Sequence, residues 1–196
     1  MKKLILIISI LMTFTLFTTA CEKVKDTPVK KEVKGPKITA KVLLKTNKGE
    51  MLIGLYGEDA PNTVKNFLSY VREGFYNGLI FHRVIPKFVI QGGGFAPKMI
   101  RKQPKAPIKL EIAKDLKHKK GILSMARTNN PDSATTQFFI CLGDVPSLDN
   151  KYAVFGKLIE GINVLDKISK TQTTSFGPYR NVPKEDIVII SATIIK

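Results

Sequence analysis

The segment FHRVIPKFVIQGGGF, residues 81–95, places a cation and a carboxamide among aromatic and aliphatic side chains. Arg83 carries a planar, permanently charged guanidinium, and Gln91 offers both a donor and an acceptor. No serine, threonine or cysteine accompanies them in this segment. These residue types can bind and polarise a substrate, and they favour a reaction in which no covalent intermediate forms.

The rest of the chain gives little support for metal, nucleophilic or phosphate chemistry. The histidines are His82 and His118, and only Cys141 remains after the first 21 residues, so paired metal-ligand spacing is missing. Ser124 lies in GILSMAR, without the G-x-S-x-G turn of a serine nucleophile. The glycines after Gln91 lack a following helix and a G-K-[ST] step, and they predict a bend of the sheet. We therefore expect no metal and no cofactor.

Rotation about an X-Pro peptide bond is a reaction that needs no nucleophile. Its barrier of about 18–20 kcal/mol comes from amide resonance. A catalyst must hold the proline ring in an apolar pocket and direct a fixed cationic donor at the twisted amide. Arg83 among aromatic residues meets this requirement, and Gln91 and Gln137 could orient the peptide carbonyls.

The positive charge of the chain raises nucleic-acid binding as an alternative. The formal net charge is +16, of which +11 falls on residues 38–196. The lysines are scattered, however, and no RNA-binding motif is present. We therefore do not expect nucleic acid as a partner.

The first 20 residues have the pattern of an export signal. Lys2 and Lys3 precede the apolar run LILIISILMTFTLF, which is shorter than the roughly 20 residues of a membrane-spanning helix. Cys21 follows the small residue Ala20, as in a bacterial lipoprotein signal, although Thr18 stands where leucine is usual. Lipidation of Cys21 would anchor the protein to a bacterial membrane in the cell envelope, on its periplasmic or extracellular face. Ordinary cleavage after Ala20 is the alternative.

Residues 21–37 predict a tether between this signal and the folded domain. The stretch EKVKDTPVKKEVKGPK contains six lysines, three acids and two prolines, and its only strongly apolar residues are valines. Such a composition cannot form a core. Its net charge of +3 could favour an anionic membrane surface, or it could serve only as a solvated spacer.

Residues 38–196 predict a mainly β domain. ITAKVLLKT and EMLIGLY flank Asn47-Lys48-Gly49, which indicates a hairpin. A helix is predicted over residues 61–73, because Val64, Phe67, Leu68 and Val71 recur at i, i+3, i+4 and i+7. Pro61 suits its first turn and Gly74 its stop, and EGINVLDKIS indicates a second, short helix. The many short apolar runs, ending in EDIVIISATII, favour a closed or nearly closed antiparallel barrel.

Four segments resemble the cyclophilin-type peptidyl-prolyl isomerases, and in particular their bacterial branch. They are FHRVIPKFVIQGGGF (81–95), GILSMARTNNPDSATTQFFICL (121–142), PSLDNKYAVFGKLIEG (146–161) and APNTVKNFLSYVREGFYNG (60–78). The similarity extends over nearly all of residues 38–196. It implies a closed eight-stranded antiparallel barrel capped by two α-helices, with the peptide bound in a groove on the outer face.

The resemblance also implies roles for individual residues. Arg83 is the expected catalytic guanidinium, and Gln91 and Gln137 are expected to form hydrogen bonds in the groove. The other expected substrate-binding residues line the proline pocket or the site for the residues preceding proline: Phe88, Ala126, Arg127, Thr128, Phe139, Leu148 and Tyr152. Met125 is expected among the substrate-binding residues as a packing residue close to the pocket.

Two features depart from the family pattern. Ser147 stands where many members carry tryptophan or phenylalanine, so we expect weak binding of the family's cyclic-peptide inhibitor cyclosporin. The glycine-rich loop of eukaryotic members after residue 95 is replaced by APKMIRKQPKAPIKLE, so contacts made there cannot be transferred.

The resulting hypothesis is a monomeric, exported prolyl isomerase that acts on proline-containing unfolded or folding proteins. A chaperone-like groove without turnover and a basic adhesive surface protein are the alternatives. Turnover of a model X-Pro peptide separates the first alternative from the enzyme. Salt-sensitive binding to anionic polymers that survives loss of Arg83 would indicate the second.

Overall fold

The computed structural model describes residues 35–195. The predicted export signal, Cys21 and most of the predicted tether therefore lie outside the described residues. Between residues 35 and 195 no helix is long and apolar enough to cross a membrane.

The domain contains twelve strands and two α-helices. The helices are α1 (Pro61–Arg72) and α2 (Ile162–Ser169). The strands are β1 (Ala40–Thr46), β2 (Gly49–Leu55), β3 (Arg83–Ile85), β4 (Val89–Gly92), β5 (Phe95–Ala96), β6 (Ile100–Arg101), β7 (Ile122–Met125), β8 (Phe138–Cys141), β9 (Val154–Glu160), β10 (Thr173–Phe176), β11 (Tyr179–Pro183) and β12 (Ile189–Ile195). The predicted first hairpin, both helices and the last strand are confirmed.

Eight strands form one curled antiparallel sheet in the order β12-β1-β2-β9-β7-β8-β4-β3. The prediction of a closed barrel is wrong, because the edge strands β3 and β12 do not pair with each other. Residues 78–81, which precede β3, make only a few backbone hydrogen bonds to residues 187–189, such as Phe81 N–H to Ile187 O at 2.9 Å. These bonds and one isolated bridge, Ile80 to Val188, are too few for a ladder, so the sheet is an open half-barrel.

Helix α1 covers one opening of the half-barrel with an apolar face. Of the four residues of the predicted apolar face, Val64, Phe67 and Val71 are buried and Leu68 is half-buried. Pro61 occupies the first turn, where its missing N–H has no intrahelical partner to lose. The carboxylate of Glu111 caps this end, because it accepts hydrogen bonds from backbone N–H groups of the first turn, including that of Thr63 at 2.8 Å.

Glycines allow the chain to bend tightly after β4, as the sequence predicts. Gly93 has a φ of +85°, and a Cβ there would lie 2.8 Å from the carbonyl oxygen of Thr136. A Cβ on Gly94 would lie 2.6 Å from the side chain of Gln137. The bend therefore brings the backbone against Gln137, which directly precedes β8 at the edge of the candidate site.

Candidate active site

One row of side chains crosses four neighbouring strands on the outer face of the sheet. Arg83 on β3 lies opposite Gln91 on β4, Gln91 lies opposite Phe139 on β8, and Phe139 lies opposite Ser124 on β7. Successive residues of a strand point to opposite faces. Ile90, next to Gln91, accordingly belongs to the main core, whereas Phe139 belongs to a second, separate hydrophobic cluster.

The second cluster supports an apolar cleft beside Arg83. Val89, Phe139, Cys141 and Val145 are its buried members. Above them opens a cleft of about 420 Å³. It is lined by Arg83, Phe88, Val89, Gln91, Ala126, Arg127, Phe139, Leu148 and Tyr152. A cleft with aromatic and aliphatic walls and one cationic edge suits an apolar ring next to a polar bond.

A chain of hydrogen bonds fixes the cationic edge of this cleft. The guanidinium of half-buried Arg83 donates from Nη1 to Oε1 of Gln91 at 3.2 Å. The amide of Gln91 in turn donates from Nε2 to Oε1 of Gln137 at 3.0 Å. Because the two glutamines orient the guanidinium, its remaining N–H groups can serve a substrate without a search through rotamers.

A second cavity adjoins the cleft and shares Gln91, Ala126 and Arg127 with it. Its other lining residues are Arg101, Thr128, Ser133, Thr135 and Gln137. Arg127 is held in place because its guanidinium stacks over the ring of Tyr152 at 4.8 Å and donates to the carbonyl oxygen of Lys151. Tyr152 packs edge-on against Phe139, with the ring centroids 5.6 Å apart.

A third cavity lies on the other side of Arg83. It shares Arg83 and Gln91 with the cleft, and its walls include His82 and residues of β11. The ring of Phe95 packs on both His82, at 4.7 Å, and Tyr179, at 5.3 Å between centroids. The small sheet formed by β10 and β11 is thus attached to the site through Phe95.

The structure brings together every predicted site residue within its range except one. Met125 is 1% exposed, belongs to the main core and lines none of the three cavities. Sequence reasoning missed several lining residues. Some lie within the motif segments but had no predicted role: Val89, Phe95, Ser133 and Thr135. Others lie outside those segments: Arg101, Tyr179, Arg180 and Asn181. No periodic signal in the sequence brings Arg101 or Arg180 to these cavities.

His82 is buried beside Arg83, and its Nδ1 has no hydrogen-bond partner. Burial and the neighbouring charge of Arg83 lower the pKa of His82 to about 4, although a hydrogen bond from the ring to the backbone of Ile80 opposes the shift. The imidazole is therefore neutral at pH 7. A neutral ring leaves Arg83 as the charged group at this edge of the cleft.

Sequence reasoning also missed a hydrogen-bonded serine, histidine and aspartate beneath the cleft. Nδ1 of His118 lies 2.9 Å from Oδ1 of Asp149, and its Nε2 lies 3.0 Å from Oγ of Ser124. This order resembles that of a serine hydrolase. Ser124 is 0% exposed, however, so no substrate carbonyl can reach its hydroxyl. The His118 ring stacks on Phe139 at 6.0 Å, so the three residues support the floor of the cleft.

Fold and site together define a peptide-binding groove that polarises its ligand without a nucleophile. The family model for cyclophilin type peptidyl-prolyl cis-trans isomerases matches residues 41–194. The chain belongs to this family, and it is a peptidyl-prolyl cis-trans isomerase.

Relatives in bacteria and a solved structure agree with this assignment. The chain is 52% identical over 160 residues to peptidyl-prolyl cis-trans isomerase A of Dickeya dadantii, with 79% of this chain and 84% of the relative covered. It is 48% identical over 161 residues to isomerase B of Escherichia coli, with 78% and 98% covered. A Cryptosporidium parvum cyclophilin-type isomerase, crystallised in the presence of the dipeptide Ala-Pro, superposes with a TM-score of 0.72 at 32% identity, over 80% of this chain and 99% of that one.

Proposed function

We propose that this isomerase is exported, that it catalyses X-Pro rotation in folding proteins of the cell envelope, and that Arg83 is its catalytic residue. The observation that carries the catalytic assignment is the position of the Arg83 guanidinium. It is fixed by Gln91 at 3.2 Å, at the edge of an apolar cleft large enough for a proline ring. Among residues 35–195, the one other cation that lines the cleft is Arg127, and its guanidinium donates to the backbone carbonyl oxygens of Lys151 and Thr128 instead of a side chain of the cleft.

In the proposed mechanism, the proline ring occupies the cleft between Phe88, Phe139 and Leu148. As the amide leaves planarity, its nitrogen becomes pyramidal and basic. An N–H of Arg83 donates to this nitrogen and stabilises the twisted state more than the planar one. Gln91 orients Arg83, and the carbonyl of the residue before proline rotates about the C–N bond while the cleft holds the ring.

The polar wall beside the cleft would bind the residues before proline. Ala126, Arg127 and Thr128 border the second cavity, and Gln137 lies between that cavity and the third. The backbone of a bound peptide can form hydrogen bonds with Gln137, whereas Tyr152 borders the ring pocket. Met125 contributes to the site only indirectly, through its packing in the main core.

The energy that this mechanism requires is within reach of the proposed contacts. An acceleration of about 10⁴ to 10⁵ corresponds to roughly 5–7 kcal/mol. One preorganised donor in a partly desolvated groove contributes about 3–4 kcal/mol. Fixing the proline ring while the preceding carbonyl rotates must supply the rest.

The test of the catalytic assignment is an NMR exchange assay on a short X-Pro peptide. Arg83→Ala should lose at least about 100-fold in kcat/KM, the value of one electrostatic donor. Arg83→Lys should recover little, because a single ammonium cannot reproduce a planar fork. Arg72→Ala, at the end of α1, removes the same charge away from the cavities and should change kcat/KM by less than about twofold.

Circular dichroism spectra and urea midpoints of these variants keep folding separate from catalysis. If Arg83→Ala keeps the wild-type spectrum and midpoint and still accelerates exchange normally, Arg83 is not the catalytic residue. If the wild-type protein itself leaves exchange at its spontaneous rate, the groove binds peptides without isomerising them.

The proposed export and membrane anchoring depend on Cys21. An apolar run behind two lysines, small residues and then a cysteine support a lipid on the Cys21 thiol after cleavage. The lysine-rich stretch to residue 37 would then separate the domain from the membrane. The protein would thus act on proteins that fold outside the cytoplasm.

Phase partitioning of the full chain expressed in a bacterium tests this anchoring. Wild type should enter the detergent phase, and Cys21→Ala should remain in the aqueous phase. The matched control is Cys141→Ala, which removes the other cysteine and should behave as wild type. Intact-mass analysis that finds an unmodified Cys21 after cleavage would overturn the lipid anchor while leaving export in place.

A further inference from the structure

We infer that the groove selects proline segments flanked by acidic residues, with Arg101 and Arg180 as specificity-determining residues in the two cavities that adjoin the cleft. This inference rests on the proposed function, because it names the substrate class of the same groove. It is carried by the distribution of charge around the three cavities.

Four arginines and no carboxylate line the three adjoining cavities. Arg83 and Arg127 border the cleft, Arg101 and Arg127 border the second cavity, and Arg83 and Arg180 border the third. No aspartate or glutamate is among the lining residues of any of them. A bound peptide therefore meets positive charge in each of the three cavities.

The positive charge of these arginines is not neutralised within the described chain. Among residues 35–195, the ion pairs involve lysines and one histidine, and none includes an arginine. Arg127 donates only to backbone carbonyls, and Arg180 donates to the hydroxyl of Ser175. Each guanidinium therefore keeps donors and a full charge for a carboxylate ligand.

The acidic residues that neighbour lining residues in sequence are engaged elsewhere. Oδ1 of Asp132 accepts a hydrogen bond from the backbone N–H of Leu110 at 2.9 Å. Oδ1 of Asp149 accepts from the backbone N–H of His118 at 2.8 Å and contacts the ring of the same residue. Both carboxylates stabilise the local structure. The charged side chains that line the three cavities are therefore all positive.

The two outer arginines lie on two small strand pairs that meet at Phe95. Arg101 on β6 is directly opposite Phe95 on β5. Arg180 on β11 follows Tyr179, whose ring packs on Phe95 at 5.3 Å. Because one buried ring supports both pairs, the fold holds Arg101 at the second cavity and Arg180 at the third.

The expected ligand follows from the spacing of an extended peptide. Such a peptide advances about 3.3 Å per residue, so positions two or three residues from the proline lie over the flanking cavities. A carboxylate there can accept hydrogen bonds from a guanidinium, whereas a lysine would be repelled. The groove should therefore favour Asp or Glu on both sides of the proline and disfavour Lys or Arg.

The test uses three matched peptides in the NMR exchange assay with the purified protein: Ala-Glu-Ala-Pro-Ala-Glu-Ala and the same peptide with Gln or with Lys in place of Glu. At low salt, kcat/KM for the Glu peptide should exceed that for the Gln peptide by about fivefold, the size expected for two exposed ion pairs. The Lys peptide should be the slowest. The ratio should approach one at about 0.5 M salt, where screening is strong.

Two double variants separate the groove from the net charge of the protein. Arg101→Gln with Arg180→Gln should reduce the Glu-to-Gln ratio to within about twofold of one. Arg72→Gln with Lys157→Gln removes the same charge from exposed positions outside the three cavities and should keep the wild-type ratio.

The outcomes distinguish this inference from the proposed function. Acceleration of all three wild-type peptides at equal rates overturns the acidic preference and leaves the isomerase intact. An equal fall of the ratio in both double variants overturns it as well, because net charge alone would then be responsible. No acceleration of any peptide instead contradicts the isomerase mechanism on which the inference rests.

Discussion

Burial of His82 predicts that the protein loses stability as the pH falls from 7 to 5. The side chain is buried, and burial together with the charge of Arg83 lowers its pKa to about 4. In the unfolded chain a histidine has its ordinary pKa of about 6.5. Between these two values the unfolded chain takes up a proton that the folded chain excludes. The free energy of unfolding therefore decreases as the pH decreases.

The two pKa values of His82 set the size of this loss. The free energy of unfolding should fall by about 2 kcal/mol between pH 7 and pH 5, and by about 3 kcal/mol by pH 4. Burial also lowers the pKa of His118, although its hydrogen bond with Asp149 opposes the shift, so His118 adds to the loss. Burial raises the pKa values of Glu111 and Asp149, but hydrogen bonds outweigh it and hold both below their usual range. These carboxylates titrate below pH 5, so the range from pH 7 to pH 5 reports on the histidines.

Urea unfolding followed by circular dichroism at pH 7, 6 and 5 measures the loss directly. Because His82 and His118 are the only histidines of the chain, their ring protons can be assigned and titrated by NMR. Arg83→Ala removes a neighbouring charge and should raise the pKa of His82 toward its ordinary value. A folded-state titration of His82 near pH 6.5, or an unfolding free energy that is flat between pH 7 and pH 5, would refute the reasoning.

Three substitutions test other contacts of the site. Gln91→Leu removes the acceptor of Arg83 and should lower kcat/KM in the exchange assay by about tenfold or more, and an unchanged value would mean that Arg83 does not need this partner. Ser124→Ala leaves Nε2 of buried His118 without its partner and should cost about 1–3 kcal/mol in urea unfolding; a neutral result would show that the hydrogen bond contributes nothing. Ser147 is exposed and directly precedes Leu148, which lines the cleft. Cyclosporin should therefore bind weakly in calorimetry, and Ser147→Phe should strengthen its binding. Tight binding to the wild-type protein would contradict this expectation.

Local signals in the sequence predict most elements of the fold, whereas closure of the sheet depends on distant segments. The spacing of Val64, Phe67 and Val71, together with Pro61, predicts α1 because all of these residues lie within one helix. Whether the sheet closes depends on pairing between residues 78–81 and 187–189, which are more than 100 positions apart in the chain. Neither segment has a sequence pattern that indicates how many hydrogen bonds form between them, so the open edge of the sheet could not be predicted.

The candidate site likewise combines residues that the sequence indicates with residues that only the fold brings together. The motif segments contain Arg83, Gln91 and Phe139, and the resemblance places them together. Strand periodicity alone predicts that each points to one face, but it does not pair β3, β4 and β8 in register. His118 and Arg180 lie outside any motif, in a loop and in a small outer sheet, and only the folded chain brings them to the groove.

The alternation of strands β4 and β8 separates stability from function within the same few residues. Ile90, Phe138 and Ile140 point into the main core, whereas Gln91 and Phe139 point to the groove. Because the two faces belong to different hydrophobic clusters, a substitution on the outer face can alter the groove while the main core keeps its packing. The outer residues can therefore change the substrate preference of the isomerase while the half-barrel stays folded. On the outer face itself, Ser124 and His118 are buried beneath Phe139, so with Asp149 they support the floor of the groove and no substrate reaches the serine hydroxyl.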